Sequence, residues 1–389
     1  MKNGEKNLDN NKKGGISLTD VAFDWLVLEL LIAKLHAYGF DYVSLKLIYS
    51  YLSDRSQRVR INSSFSSWKD ILSGVPQGSI LGPPLFNIYS NDLFLFLILD
   101  IANYADDNSP FTCGSTIPLV ISQLEKDAKI LLKWIENNGL KANPDKFHLL
   151  LSDKNCEYSI KVDNYEIKNS KCEKLLGIKI DNKMTFDCHV SDICTKASQK
   201  LHALSRVSHL MMLEHRKKVM NAFILSQFGY CPLVWMFHSR KLNNRINSLH
   251  ERALRIVYLD SKSSFEALLL KIGSFTIHTR NIQSLAIELY KVWYGLSPKI
   301  MNLVFPLNPS SRYPGGSDFK THNVKSVSNG TETLAYLGPK IWSLVPPDMK
   351  KYSLSIFTKK IRKWKPSICP CRLCKVYVKD LGFVNIAPT

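Results

Sequence analysis

The sequence predicts an α+β fold, and three observations predict it. Up to about residue 181, short β-compatible runs alternate with amphipathic helices. From 182 to 305 the apolar residues recur at spacings of three and four only. Residues 306–389 open Pro/Ser-rich and end basic and Cys-containing. Helices laid on one side of a sheet satisfy the first pattern, because each element has one apolar face to bury. The expected organisation is a polar N-terminal segment (1–15), an α+β domain (16–181), a helical region (182–305), and a linker with a basic tail (306–389).

The elements follow in order. Residues 15–20, Gly-Ile-Ser-Leu-Thr-Asp, read as a short strand that ends in a carboxylate. A helix is expected over 23–38, stopped by Gly39, and a second over 43–52. Residues 57–62 alternate apolar and basic side chains, the half-buried strand pattern. Arg58 and Arg60 share one face of it, where contact with phosphate and a solvated edge fit equally well. Another strand (66–72) leads into a Gly74–Gly78 loop. A helix opens near Ser79 with Pro83 in its first turn, where proline is tolerated. Pro84 beside it is expected to distort that turn. Residues 123–137 form a helix with Leu124, Ala128, Leu131, Leu132 and Ile135 on one face, ended by Gly139. Strands are expected at 147–151, 158–162 and 174–180. Three helical stripes follow: Val190 to Val207, Leu242 to Ile256, and Ile282 to Trp293. Lys241, Arg245, Arg252 and Arg255 lie off the second stripe, as a solvated face or as the lining of a duplex channel.

The chemistry is concentrated at Tyr104-Ala105-Asp106-Asp107. An apolar run precedes these residues and Pro110 to Cys113 is β-compatible, so residues 105–108 read as a hairpin tip. Two carboxylates at a tip are an ordinary acidic turn or a divalent-cation site, since hard cations take carboxylate oxygens. Upstream lies Gly74-Val-Pro-Gln-Gly-Ser-Ile-Leu-Gly-Pro83, joined to the hairpin through Asn91-Asp92-Leu93-Phe94. With this block ahead of the Asp pair, the chain resembles the reverse transcriptases of non-LTR retrotransposons, most closely jockey-like elements. The resemblance continues through Leu140 to Lys146, Leu175 to Ile178 and Phe228 to Pro232.

The resemblance implies a polymerase palm for 16–181, an antiparallel sheet with helices on one side. It implies a thumb-like helical region for 182–305. It implies RNA-templated DNA synthesis by two-metal nucleotidyl transfer, with RNA template, DNA primer and dNTP as partners. Asp20 and Asp106 would be the principal ligands of Mg²⁺ or Mn²⁺, with Asp107 beside them. Phe23 would lie beneath the sugar. Gln77, Gly78 and Tyr104 would contact nucleotide and template. Lys146 would face the leaving pyrophosphate as a proton donor, or stand as a solvated lysine. A viral RNA-templated RNA polymerase is disfavoured by Tyr-Ala ahead of the Asp pair.

Two departures from the family pattern matter. After the first Asp the family runs near Asp-Leu-Ser-Lys-Ala-Phe-Asp, whereas here Asp20-Val21-Ala22-Phe23-Asp24 is two residues shorter. Only 19 residues precede Asp20, too few for the family's fingers region, and the endonuclease that heads such elements is missing. The expectation is a truncated, impaired copy; its alternative is an inactive remnant that only binds nucleic acid.

The formal net charge of +19 suits a polyanionic partner. Nine cysteines without a secretory signal point to reduced thiols inside the cell, nuclear or cytoplasmic. No run reaches the ~18 apolar residues of a membrane span. Cys369, Cys371 and Cys374 are spaced C-x-C-x₂-C. Zinc needs a fourth ligand, and none lies nearby in sequence, so free thiols are favoured over a zinc site.

Overall fold

The structure is a computed structural model. It describes residues 13–20, 25–76, 78–105, 107–143, 146–152, 157–308, 318–322, 324, 331–378 and 382–385. The chain divides into two compact units, Met1–Met184 and Thr185–Thr389. Helix and strand are mixed in the first and helix dominates the second, so the α+β class holds.

In the first unit, β1 (Lys13–Asp20) is followed by α1 (Leu28–Ala37) and α2 (Tyr42–Leu52). Asp41 caps α2 by accepting from the Ser44 N–H at 2.8 Å. Four very short strands come next: β2 (Arg55–Gln57), β3 (Arg60–Ile61), β4 (Ser64–Phe65) and β5 (Lys69–Ile71). The strand expected at 57–62 is therefore broken into β2 and β3, that expected at 66–72 shortens to β5, and the four pair as β2–β5 and β3–β4. The guanidiniums of Arg58 and Arg60 both lie over the Phe65 ring, at 4.0 and 5.4 Å from its centroid. Arg58 also covers Trp68 at 4.6 Å.

Helix α3 (Gly82–Ser90) begins three residues later than expected. Both prolines fall in its first turn, where their missing N–H groups cost nothing, and the turn stays helical. A short α4 (Leu93–Phe96) leads to β6 (Asp100–Tyr104), β7 (Asp107–Gly114) and the long α5 (Ile117–Asn137). Helix α5 starts six residues earlier than its sequence stripe, with Pro118 in its first turn. Ile117 and Val120 extend the buried stripe to Leu124, Ala128, Leu131 and Ile135. It ends at Gly139, whose φ of +66° requires a residue without a Cβ penalty.

β8 (His148–Leu151) precedes the hairpin β9 (Ser159–Val162) and β10 (Tyr165–Lys168). The strand expected at 174–180 is instead a second hairpin, β11 (Cys172–Leu175) and β12 (Ile178–Asp181). Leu176 and Gly177, both at positive φ, form its two-residue turn. The main sheet has the order β6-β7-β1-β8, with every pairing antiparallel. Helix α5 shares a core with Phe147, Leu149, Leu151, Ile160 and Val162.

The second unit starts with α6 (Asp187–Val207), α7 (Leu213–Val219), α8 (Pro232–Trp235), α9 (Arg240–Tyr258), α10 (Phe265–Ile272) and α11 (Ile277–Trp293). The three stripes are core: Val190, Ile193, Ala197, Leu201 and Leu204 pack with Leu242, Ile246, Leu249 and Ala253. Val207, at the end of the first stripe, is exposed. α12 (Met301–Val304), α13 (Leu334–Ser343), α14 (Pro347–Lys350) and α15 (Leu354–Ile361) follow, then the hairpin β13 (Lys375–Val378) and β14 (Gly382–Asn385). Much of the stretch read as a tail is thus folded. Trp342, Val345, Phe357, Ile361, Cys369 and Cys371 share a core with Ile282, Leu285 and Leu289 of α11. Lys350 donates to Asp318 at 3.0 Å, and Lys360 lies over the Tyr352 ring, so part of the tail's basic charge has partners. Much of the linker itself lies outside the described residues.

Candidate nucleotidyl-transfer site

The antiparallel register brings four chain segments to one end of the main sheet. β6 ends there at Tyr104 and β7 begins there at Asp107, and these two residues are Cα partners. β1 ends there at Asp20, which is the Cα partner of Asp107 on the other side. β8 begins there, and its first pair with β1 is Leu18 with His148. Lys146 lies two residues before β8, in a turn where its N–H donates to the Asn143 carbonyl at 3.0 Å. Strands that run antiparallel in the order β6-β7-β1-β8 must present alternate ends on one edge, so carboxylates distant in sequence become neighbours.

The hairpin tip is built locally. With Tyr104 paired to Asp107, the connection is two residues long, and Ala105 takes a φ of +54°. Short hairpin turns favour such values because they match the strand twist. Asn103 locks the tip by donating to the Asn108 side-chain oxygen at 2.9 Å and to the Ala105 carbonyl at 3.2 Å. Asn108 is buried, so this pairing satisfies a group that would otherwise be costly. Tyr104 is two-thirds exposed (67%), leaving its ring free to meet a ligand.

A carboxylate that the sequence reading passed over positions the hairpin. Asp127 of α5 is buried, and it accepts from the backbone N–H of Ile98 at 3.2 Å and of Leu99 at 2.8 Å. These are the residues just before β6. Thr112 of β7 donates to Gln123 of the same helix at 2.9 Å. Helix α5 therefore fixes both strands of the hairpin. Asp127 falls on the buried face of α5, three residues after Leu124 and four before Leu131; the sequence reading did not single it out, because its partners are backbone groups.

The glycine-rich loop is anchored at its start. Gly74 donates its N–H to the Leu26 carbonyl at 2.9 Å, and Arg55 donates to the carbonyls of Leu52 and Gly74. Gly78 has a φ of +79° with open space where a Cβ would stand, so the backbone, not packing, calls for glycine there. Gly82 is different: an added Cβ would meet the Ser79 hydroxyl at 2.9 Å and the Pro76 carbonyl at 3.2 Å.

Among the expected site residues, the backbone of Asp20, Asp107 and Tyr104 is brought together, and Lys146 is exposed beside β8. Gly78 lies in the loop. Phe23, Gln77 and Asp106, with Val21 and Ala22 of the shortened junction, lie outside the described residues. An edge carrying Asp20 and Asp107 in register has the hard oxygen donors that a divalent cation takes.

Comparison with known proteins gives the following similarities. Residues 7–180 match the family described as reverse transcriptase (RNA-dependent DNA polymerase). The chain is 29% identical over 223 residues to the RNA-directed DNA polymerase from mobile element jockey of Drosophila melanogaster, covering 54% of this chain and 24% of that protein. It is 27% identical over 223 residues to the probable RNA-directed DNA polymerase from transposon BS of the same species, covering 54% and 25%. It is 26% identical over 257 residues to a Pol polyprotein from the type-1 retrotransposable element R1 of Nasonia vitripennis, covering 59% and 60%. The chain thus spans about a quarter of the length of the first two relatives. Among solved structures, a Candida tropicalis telomerase superposes with a TM-score of 0.34 at 13% identity, over 72% of this chain and 48% of that one.

Proposed function

We propose that this chain, whose residues 7–180 are a reverse-transcriptase domain of the non-LTR retrotransposon type, carries a site for RNA-templated DNA synthesis at the end of its main sheet. The observation that carries the reading is the register that sets Asp20 beside Asp107 at the start of β7.

Asp20, Asp106 and Asp107 would hold Mg²⁺ or Mn²⁺. Bound there, a pair of such ions supplies charge stabilisation to the attacking and leaving oxygens of an in-line displacement at phosphorus. The protein's part is positional. β1 and the 104–107 hairpin bring carboxylates from separate segments to one edge, which one hairpin could not do alone. Tyr104, exposed at that edge, offers a ring to the nucleotide. Gln77 and Gly78 belong to the loop that would lie against nucleotide and template. Lys146 would hand a proton to the leaving pyrophosphate. Residues 16–181 would then be the palm and 182–305 the thumb.

Primer extension on an RNA template with dNTPs and Mg²⁺ tests the reading. Extension by the chain, lost on Asp106→Ala, is expected if the site works. The shortened junction after Asp20 favours a second reading, a remnant that binds RNA without extending a primer. Binding without extension selects it, and loss of both binding and extension overturns both. Inserting Ser-Lys between Val21 and Ala22 restores family spacing. Calorimetry should then show tighter Mg²⁺ binding, whereas equal affinity means the short junction is tolerated.

A further inference from the structure

Within the second unit, one buried cluster consists of residues to which the proposed function gives no role. His278 stands in the first turn of α11, and Cys369, Cys371 and Cys374 follow α15. Their ligand atoms all lie within 4.8 Å of one another. His278 Nε2 is 3.3 Å from Cys371 Sγ and 3.8 Å from Cys369 Sγ, and those two sulfurs are 3.2 Å apart. His278, Cys369 and Cys371 are buried, and Cys374 is half-buried. The thiols are free.

We propose that His278, Cys369, Cys371 and Cys374 form a closed tetrahedral zinc site that staples the start of α11 to the segment after α15. Tetrahedral zinc has bonds of ~2.3 Å to sulfur and ~2.0–2.1 Å to nitrogen. Those bonds place ligand sulfurs about 3.8 Å apart and sulfur and nitrogen about 3.5 Å apart. The nitrogen–sulfur separations of 3.3 and 3.8 Å bracket the second value, the Cys369–Cys371 sulfurs at 3.2 Å stand closer than the first, and no pair exceeds 4.8 Å, so closing on an ion needs adjustments of a few tenths of an ångström to about one. Three soft thiolates with one imidazole are a donor set that selects zinc over hard cations. Four protein ligands leave no open position, which makes the site structural.

The surroundings hold the four ligands in place without the ion. Thr276 caps α11 by accepting from the Thr279 N–H at 3.3 Å, which fixes the turn that bears His278. Gln283, further along α11, donates to the Trp364 carbonyl at 2.7 Å and ties down the chain that leads to the cysteines. Arg372, between two of the cysteines, donates its backbone N–H to the Glu332 carboxylate at 3.2 Å. His278 Nδ1 is buried with no hydrogen-bond partner among the described residues. The ring is therefore oriented by its helix, with Nε2 toward the sulfurs. Local spacing gave only three ligands because the fourth lies 91 residues before Cys369.

The test uses the full chain purified under reducing conditions. Elemental analysis should find one equivalent of zinc. Replacement by Co²⁺ should give intense tetrahedral d–d bands with thiolate charge transfer. Cys371→Ser should lose the metal and lower the Tm. His278→Cys should keep one equivalent and shift the cobalt bands, which separates ligation from mere packing. Should Cys371→Ser fail to fold, the shift in His278→Cys decides. Zinc absent from the purified chain, cobalt bands unmoved by His278→Cys, or a Cys369–Cys371 disulfide under reducing conditions would each overturn the assignment.

Discussion

Asp127 accepts a 2.8 Å hydrogen bond from the backbone N–H of Leu99, so a helix carboxylate fixes where β6 begins. The same carboxylate takes the N–H of Ile98 at 3.2 Å. Two donors that the sheet does not use are satisfied by one buried group. Asp127→Ala removes the acceptor of both; the exposed Ile98 N–H turns to water, while the half-buried Leu99 N–H loses a charge-assisted bond worth about 1–3 kcal/mol. The expected outcome is a loss of stability in urea denaturation and faster hydrogen exchange at Leu99. Unchanged exchange at Leu99 would show that β6 is held by its ladder alone.

Asp106 lies outside the described residues, in sequence between Ala105 and Asp107. Asp106→Ala should abolish primer extension while changing stability by less than about 0.5 kcal/mol, as surface substitutions do. Circular dichroism and extension measured on one preparation check it. An unfolded variant would reveal a structural carboxylate, and full extension would remove its metal role.

The net charge of +19, with exposed Lys241, Arg245 and Arg252 on α9, predicts salt-sensitive binding of RNA and RNA–DNA duplex with little sequence preference. Each phosphate neutralised on a B-form duplex contributes a slope of about −0.9 to log affinity against log salt. Titrations between about 50 and 200 mM salt should show a steep fall, and a flat line would remove the idea.

His250 of α9 is buried against Phe265, with ring centroids 5.5 Å apart, and its Nδ1 has no hydrogen-bond partner among the described residues. Burial, aided by the Arg280 charge, pushes its pKa down to about 4. The unfolded chain returns it to about 6.5, so between those values the unfolded state binds more protons than the folded one. Stability is therefore complete above about pH 6.5 and falls as pH drops toward 4. At about 1.4 kcal/mol per pKa unit the loss reaches roughly 3 kcal/mol. His250→Leu should flatten that slope in denaturation curves taken at several pH values; an unchanged slope would assign the acid sensitivity to other groups.

The sequence alone determined what is local. The strand ending at Asp20, the turn at Ala105, the stripes of α5, α6, α9 and α11, and the order of the motifs follow from spacings of two, three and four residues and from turn chemistry. The block from Gly74 to Pro83 and the Tyr104–Asp107 tip also carried the resemblance to reverse transcriptases. Missed boundaries came from the same local scale: Pro118 opened α5 early, and Leu176-Gly177 folded an expected strand into a hairpin. Only the tertiary structure decided which distant residues meet. It placed Asp20 opposite Asp107, set Asp127 under the start of β6, and carried His278 across 91 residues to Cys369. The physical reason is that periodicity states which face of an element is buried and not what it is buried against. The partner is chosen by sheet order and core packing, to which loops of tens of residues add only a slowly rising entropic cost.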